Sequence, residues 1–255
     1  MSAPERPVLI TGAAGRVGGA LREGLRGRCR LRLLDLSPVR DLRPGEEMIR
    51  GDVRDLAVLT AAAAGCRALV HLAGLTVKMD HEALLDVNLR GTYHAFEAAV
   101  AAGCERLVLA STNHVTGFYP ADVRVDPGMP PRPDSLYAVS KVYGEALGRF
   151  YHDRYGLGVA AIRIGSALPA PTAPRHTRTW ISYRDLAQLA WRCLDAPELG
   201  WLVVYGASGN QRSYWSDAEE RRTLRYVPDD SADDAGIDPG PADRYQGGPG
   251  IGALR

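Results

Sequence analysis

Tyr137 and Lys141, in the segment Tyr137-Ala-Val-Ser-Lys141, have types and spacing that could move a proton. On a helix an i, i+4 pair shares one face, so the phenol and the ammonium can point at one bound molecule. A phenol titrates near pH 10, and bringing it near 7 takes roughly 4 kcal/mol of preference for the phenolate. A cation about 4 Å away supplies about 1 kcal/mol in water but about 4 kcal/mol at an effective dielectric near 20. The pair therefore works as a base only where it is shielded, and there Lys141 is expected to make the phenol of Tyr137 acidic. The same spacing also suits a helix whose tyrosine packs while its lysine is solvated.

Gly12-x-x-Gly15-x-x-Gly18 suits a different chemistry. Glycines there tighten a turn, admit backbone N–H groups to a pyrophosphate, and bring a helix N-terminus to face negative charge. Arg16 and Val17 lie inside this turn. Asp35, with Leu36 beside it, follows at the end of the next strand-like run. Its carboxylate can accept hydrogen bonds from both ribose hydroxyls of an adenosine but repels a 2′-phosphate, which favours NAD over NADP. Arg16, Arg32 and Arg40 are near enough in sequence to blunt that preference. Asp52-Val53, read as ending the third strand, suits an adenine edge. An ordinary strand-to-helix turn and a turn-forming aspartate explain the same residues without a cofactor.

Leu109-Ala-Ser111-Thr112-Asn113-His114 places hydroxyl, amide and imidazole groups directly after a strand. Ligands of open α/β sheets bind beyond the carboxyl ends of the strands, so these groups suit a polyhydroxyl molecule. Ser, Thr and Asn after a strand also commonly satisfy turn backbone, and His114 also suits a purely structural place.

The elements that must position these residues alternate. Strand-like runs at Val8–Thr11, Leu31–Asp35, Met48–Val53, Ala68–Leu72, Arg106–Ala110 and Val159–Ile162 are separated by helical or loop sequence. His81–Gly103 carries one apolar helical stripe, the segment from Ala20 to Leu25 has helical spacing, and Ser135–Tyr155 and Tyr183–Asp195 also read as helices. Trp201–Tyr205 reads as a last strand. Such alternation predicts a doubly wound, parallel α/β sheet covered on both faces. Prolines at 127, 130, 131, 133, 169, 171 and 174 mark two stiff loops, and the tail from Pro228, with six aspartates, reads as irregular surface. The chain is expected to be one domain, 1–255, with a small C-terminal cap and substrate-side insertions mainly at 112–134, 166–182 and 206–255.

Composition narrows the partners. With 31 Lys plus Arg against 30 Asp plus Glu, the net charge of +1 supplies no field for nucleic acid or an anionic membrane. The start, MSAPERPVLI, lacks the order of a signal peptide, and no run of about 18 apolar residues exists, so a cytoplasmic protein is expected. Its four cysteines are spread along the chain without a CxxC pair, so isolated thiols and no metal site are expected.

TGAAGRVGG, STNHVTG and YAVSK together resemble the extended short-chain dehydrogenase/reductase superfamily. Within it HLAGLTV, STNHVTGFYP, RPDSLYAVSK, RIGSALP, RTWISYRDL, VVYGAS and RYQGG resemble the uronate dehydrogenases over nearly the whole chain. That resemblance implies a Rossmann-like fold, a homo-oligomer, and NAD-dependent oxidation of D-galacturonate and D-glucuronate at C1 to an aldarolactone. Tyr137 would be the general base, Lys141 would bind the nicotinamide ribose and stabilise the phenolate, and Thr112 would hydrogen-bond the reacting oxygen. Ser111 would neighbour it, and either hydroxyl of the Ser-Thr pair could serve. Thr76, Asn113 and His114 would hold sugar hydroxyls. Arg175 would grip the C6 carboxylate in bidentate fashion, with Arg178 as its rival. Leu72, Ala73, Gly74 and Ser166 would line the nicotinamide side.

The superfamily's nucleotide-sugar dehydratases place Asp-Glu where this chain has Asn113-His114, and its epimerases carry a longer C-terminal lobe. Simple dehydrogenation of a free sugar acid is therefore expected. A dehydrogenase or epimerase for another sugar or a nucleotide sugar is the nearest alternative, and a non-catalytic nucleotide sensor is the one from another class.

Overall fold

The computed structural model describes residues 6–76 and 80–249. Its centre is a seven-stranded parallel sheet built from β1 (Val8–Thr11), β2 (Leu31–Asp35), β3 (Glu46–Arg50), β4 (Ala68–His71), β5 (Arg106–Thr112), β6 (Gly158–Ile164) and β9 (Trp201–Gly206). The order is β3-β2-β1-β4-β5-β6-β9. A short parallel pair, β7 (Ser166–Ala167) and β8 (Trp180–Ile181), stands apart from it. Because both faces of the sheet are covered, the central strands carry consecutive apolar residues rather than an alternating pattern. Every residue of β1 and β4 is buried.

Helices α1 (Arg16–Leu25) and α7 (Tyr183–Asp195) cover one face, where Leu21, Leu25, Leu186 and Leu189 pack against Val8, Ile10, Val70 and Val204. On the other face α2 (Leu56–Ala63), α4 (Gly91–Ala101) and α5 (Leu136–Tyr155) bring Leu59, Phe96 and Tyr151 against Leu9, Leu69, Leu107 and Ala161. Short helices α3 (His81–Leu84), α6 (His176–Thr179) and α8 (Ala218–Thr223) complete the set. Strand order reverses between β1 and β4, and their carboxyl ends open a crevice there, the switch point at which doubly wound sheets bind ligands.

Several boundaries differ from the sequence reading. Helix α1 begins at Arg16, so Gly18 and Gly19 lie inside it rather than in the turn. Strand β3 ends at Arg50: the Asp52 side chain accepts from the Arg54 backbone N–H and Asp55 caps α2, so Asp52-Val53 form a turn beyond the strand. Strand β5 runs two residues further, with Ser111 and Thr112 in register with Arg163 and Ile164. The single helix expected over His81–Gly103 is α3 and α4 joined by a π-helical turn, Leu85–Arg90. The four cysteines form no disulfide, as expected, and the Cys104 thiol donates to the Cys66 carbonyl. The tail after Pro228 is irregular, as expected, but Ala232 and Gln246 anchor it in the interior.

Candidate active site

Two cavities at the switch point share the walls Leu72, Gly74 and Leu75 and so form one trough. The first, about 340 Å³, lies beside the glycine turn and is also lined by Gly12, Gly15, Asp35, Leu36, Asp52, Val53 and Ala73. Gly12 has φ +72°, and a Cβ there would sit 2.7 Å from the Ala73 backbone nitrogen, so a bare backbone is required where β1 and β4 converge. No side chain caps the N-terminus of α1 at Gly15, which leaves its first-turn N–H groups available to an anion. Gly18 lines neither cavity. A Cβ there would meet the Gly12 carbonyl oxygen at 2.5 Å, so its place is in close packing of helix on turn.

Asp35 accepts the Ala14 N–H at 3.0 Å and the Ser37 N–H at 2.9 Å, which aims its carboxylate along the cavity rim. Arg32 does not reach it, being turned to Glu47 and to the Ala62 and Ala64 carbonyls. Arg16 stands at the second cavity. Asp52 is held by Arg54, whose side-chain hydrogen bonds lower the carboxyl below its usual range. The trough thus offers a turn fit for a pyrophosphate and a carboxylate fit for a ribose, and these residues suit a dinucleotide.

The second cavity, about 280 Å³, gathers Thr76, Ser111, Thr112, Asn113, His114, Tyr137, Lys141, Ser166 and Arg175. Ser135 caps α5 through the Ala138 N–H, so the helix starts at Leu136 and Tyr137 stands in its first turn, with Lys141 one turn further on. Lys141 is nearly inaccessible, its Nζ is 5.7 Å from the centre of the Tyr137 ring, and burial pushes its ammonium down to about 8. Tyr137 departs from the expected acidic phenol. Burial raises it above its ordinary value and contact with the Thr112 side chain offsets this only in part. The reason is that desolvation disfavours the charged form of each group.

Thr112 ends β5 and its hydroxyl caps the short 3₁₀ turn Asn113–Thr116 by accepting from the His114 N–H. Ser111 donates instead to Glu145, inside a buried ion pair of Glu145 with Arg163. Asn113 is buried and its Nδ2 has no hydrogen-bond partner among the described residues. His114 Nδ1 lies 2.7 Å from the buried Asp134 carboxylate, which fixes the ring. Ser166 pairs with Thr179 at 2.9 Å. Arg175 is largely buried, burial lowers its guanidinium, and its Nη1 makes no hydrogen bond among the described residues. Arg178, its rival, is absent from the cavity wall and donates to the Pro239 and Gly240 carbonyls.

Two further residues went unread in the sequence. Asn88, buried on the π turn, accepts from the Leu75 N–H and donates to the Leu75 carbonyl and to Ser140, tying the trough's floor to α5. His71, at the end of β4, lies between Thr11 and Thr92 and is kept neutral by burial and by Lys141, its pKa pushed down to about 3. The only sequence signal for Asn88 was the overlong helical stripe that contains it.

Comparison with known proteins agrees with this architecture. The NAD dependent epimerase/dehydratase family matches residues 8–230, and the chain belongs to that family. A uronate dehydrogenase from Pseudomonas putida is 44% identical over 232 residues, covering 90% of this chain and 86% of the relative. A mutant uronate dehydrogenase from Agrobacterium tumefaciens, solved in complex with NAD, superposes with a TM-score of 0.89 at 40% identity, covering 95% of this chain and 96% of that one. An NAD-dependent glucose-6-phosphate dehydrogenase from Haloferax volcanii is 36% identical, covering 89% of this chain and 95% of its own.

Proposed function

We propose that the chain is an NAD-dependent uronate dehydrogenase that oxidises D-galacturonate and D-glucuronate at C1 to the aldarolactone. The observation that carries this reading is the continuous trough, with a ribose-ready carboxylate, Asp35, at one end and a buried guanidinium with an unused donor, Arg175, at the other. Thr112, Tyr137 and Lys141 stand at the latter end.

NAD bound in the trough would supply the acceptor for the hydride that leaves C1. Tyr137 takes the proton of the anomeric hydroxyl, and Thr112 holds that oxygen and the phenolate together. Lys141 favours the phenolate and holds the nicotinamide ribose, on the side lined by Leu72, Ala73, Gly74 and Ser166. Asp35 and Leu36 receive the adenosine ribose, Asp52 and Val53 the adenine edge, and Gly12, Gly15, Arg16 and Val17 the pyrophosphate. The free Nδ2 of Asn113, the ring of His114 and the hydroxyl of Thr76 meet sugar hydroxyls. Arg175 grips the C6 carboxylate, a pairing that the planar guanidinium favours.

A second reading, a dehydrogenase for a sugar phosphate, draws on the glucose-6-phosphate relative, with Arg175 meeting a phosphate instead. NADH formation from NAD with galacturonate, glucuronate, glucose 6-phosphate and nucleotide-linked sugars in parallel separates the readings. Turnover is expected on the two uronates, and Arg175→Ala is expected to cost about a hundredfold in kcat/KM, chiefly through KM, because a charged hydrogen-bonded pair is lost. Turnover confined to phosphorylated or nucleotide-linked sugars sinks the proposal.

Three accompanying readings are also proposed. The chain works as one domain with its insertions on the substrate side. It works in the cytoplasm, without nucleic acid or membrane partners, since its near-neutral charge attracts neither and buried thiols at Cys66, Cys104 and Cys193 suit a reducing compartment. It forms a homo-oligomer, a reading supported by the exposed Tyr93, Val139 and Phe150 on α4 and α5.

A further inference from the structure

We propose that residues 239–248 form a strap that seats Arg175, and that Gly248 is a specificity-determining residue for the acid end of the substrate. The inference rests on the functional reading above and concerns residues that the reading does not use.

The strap is anchored at two points. Upstream, Arg178 donates from Nη1 to the Pro239 carbonyl at 2.8 Å and from Nη2 to the Gly240 carbonyl at 3.1 Å. Downstream, the Gln246 N–H donates to the Tyr119 carbonyl at 3.0 Å and the Gly247 N–H to the Gly117 carbonyl at 2.9 Å. The fully buried Gln246 side chain adds a bond to the Val123 carbonyl at 2.7 Å. Gly117 directly follows the turn that carries Asn113 and His114. The strap therefore joins the segment bearing Arg175 and Arg178 to the segment bearing Asn113 and His114.

Two strap residues meet Arg175. Asp243 Oδ2 lies 3.9 Å from Arg175 Nη1, close enough to offset a buried charge but too far to take a hydrogen bond. Gly248 has φ +105°, and a Cβ there would lie 3.1 Å from Arg175 Nη1 and 3.3 Å from Cζ. Its bare backbone is thus the surface on which the guanidinium rests. Arg175 also lines the substrate cavity, so backing by Gly248 and charge balance from Asp243 leave Nη1 without a hydrogen-bond partner among the described residues, ready for an external anion. Any side chain at 248 must displace either the strap or the guanidinium, and a positive φ opposes one as well.

The test compares the full-length chain with Gly248→Ala and Arg178→Met, measuring KM and kcat for galacturonate, NAD affinity by fluorescence titration, and melting temperature. For Gly248→Ala the expected result is a KM about tenfold higher, the share of a charged hydrogen bond, with kcat changed by less than about twofold and NAD affinity retained. Arg178→Met, which releases the other anchor, raises KM in the same direction and carries the test if Gly248→Ala does not fold. Unchanged KM in both variants overturns the strap alone, as does a parallel loss of kcat and NAD affinity, which marks a general structural role. Absence of NADH from the unaltered chain with any uronate overturns the functional reading, and this inference with it.

Discussion

Ser111 donates its hydroxyl to Glu145 Oε1 at 2.6 Å, while Arg163 holds both oxygens of the same carboxylate at 2.9 Å. The neighbouring hydroxyl, on Thr112, contacts the Tyr137 phenol. Two adjacent hydroxyls that the sequence leaves equivalent are thereby divided between the interior and the cavity.

Thr112→Ala is accordingly expected to lower kcat by about 10²-fold, the loss typical of one aimed donor at a reacting oxygen, with NAD affinity retained. Ser111→Ala is expected to act on stability instead, by about 1–3 kcal/mol, because it removes a bond to a buried carboxylate. Paired kinetics and thermal melts on the two variants decide the matter, and a larger kcat loss from Ser111→Ala reverses the assignment.

The pH profile follows from the Tyr137 and Lys141 pair. Below about pH 8 the ammonium keeps its proton, and the phenol, raised by burial, keeps its own. Loss of one proton from the pair creates the form in which the phenolate faces the ammonium, in equilibrium with neutral phenol and amine. The rate therefore falls as pH drops through about 8 and is regained as pH rises through it. Log kcat/KM for galacturonate should climb with pH across that range, and Lys141→Met should move the climb to higher pH by removing the charge that favours phenolate. A profile flat from pH 6 to pH 9 excludes the pair as the titrating unit.

Asp35→Ala should weaken NAD more than it weakens NADP. Arg32, the arginine nearest to Asp35 in sequence, is committed to Glu47 and two carbonyls, so the carboxylate acts without a competing cation from that side. Loss of two ribose hydrogen bonds corresponds to about ten- to a hundredfold in KM for NAD. Equal KM changes for the two cofactors remove Asp35 from the ribose site.

Much of the fold was legible because its information is local. The apolar runs 8–10 of β1 and 68–70 of β4 are unbroken where strands are covered on both faces, and the helical period of Tyr183–Asp195 matches α7 residue for residue. Misread boundaries arose where a side chain or a neighbouring strand intervened: Asp52 bonding its own turn after β3, and pairing with β6 drawing Ser111 and Thr112 into β5.

Residue types and short spacings determined by themselves that this chain would place a glycine turn and an Asp35 carboxylate after parallel strands and a Tyr137 and Lys141 pair on one face of a helix, since such patterns are set within a few residues of backbone. Contacts between distant segments were decided only by the tertiary structure. It turned Arg178 into an anchor while setting Arg175 against Gly248, gave Ser111 to Glu145, and raised a phenol that its neighbouring lysine was expected to acidify. The physical reason is that hydrogen-bond allegiance and desolvation depend on which segments meet and on how completely they exclude water, and no single stretch of sequence carries that information.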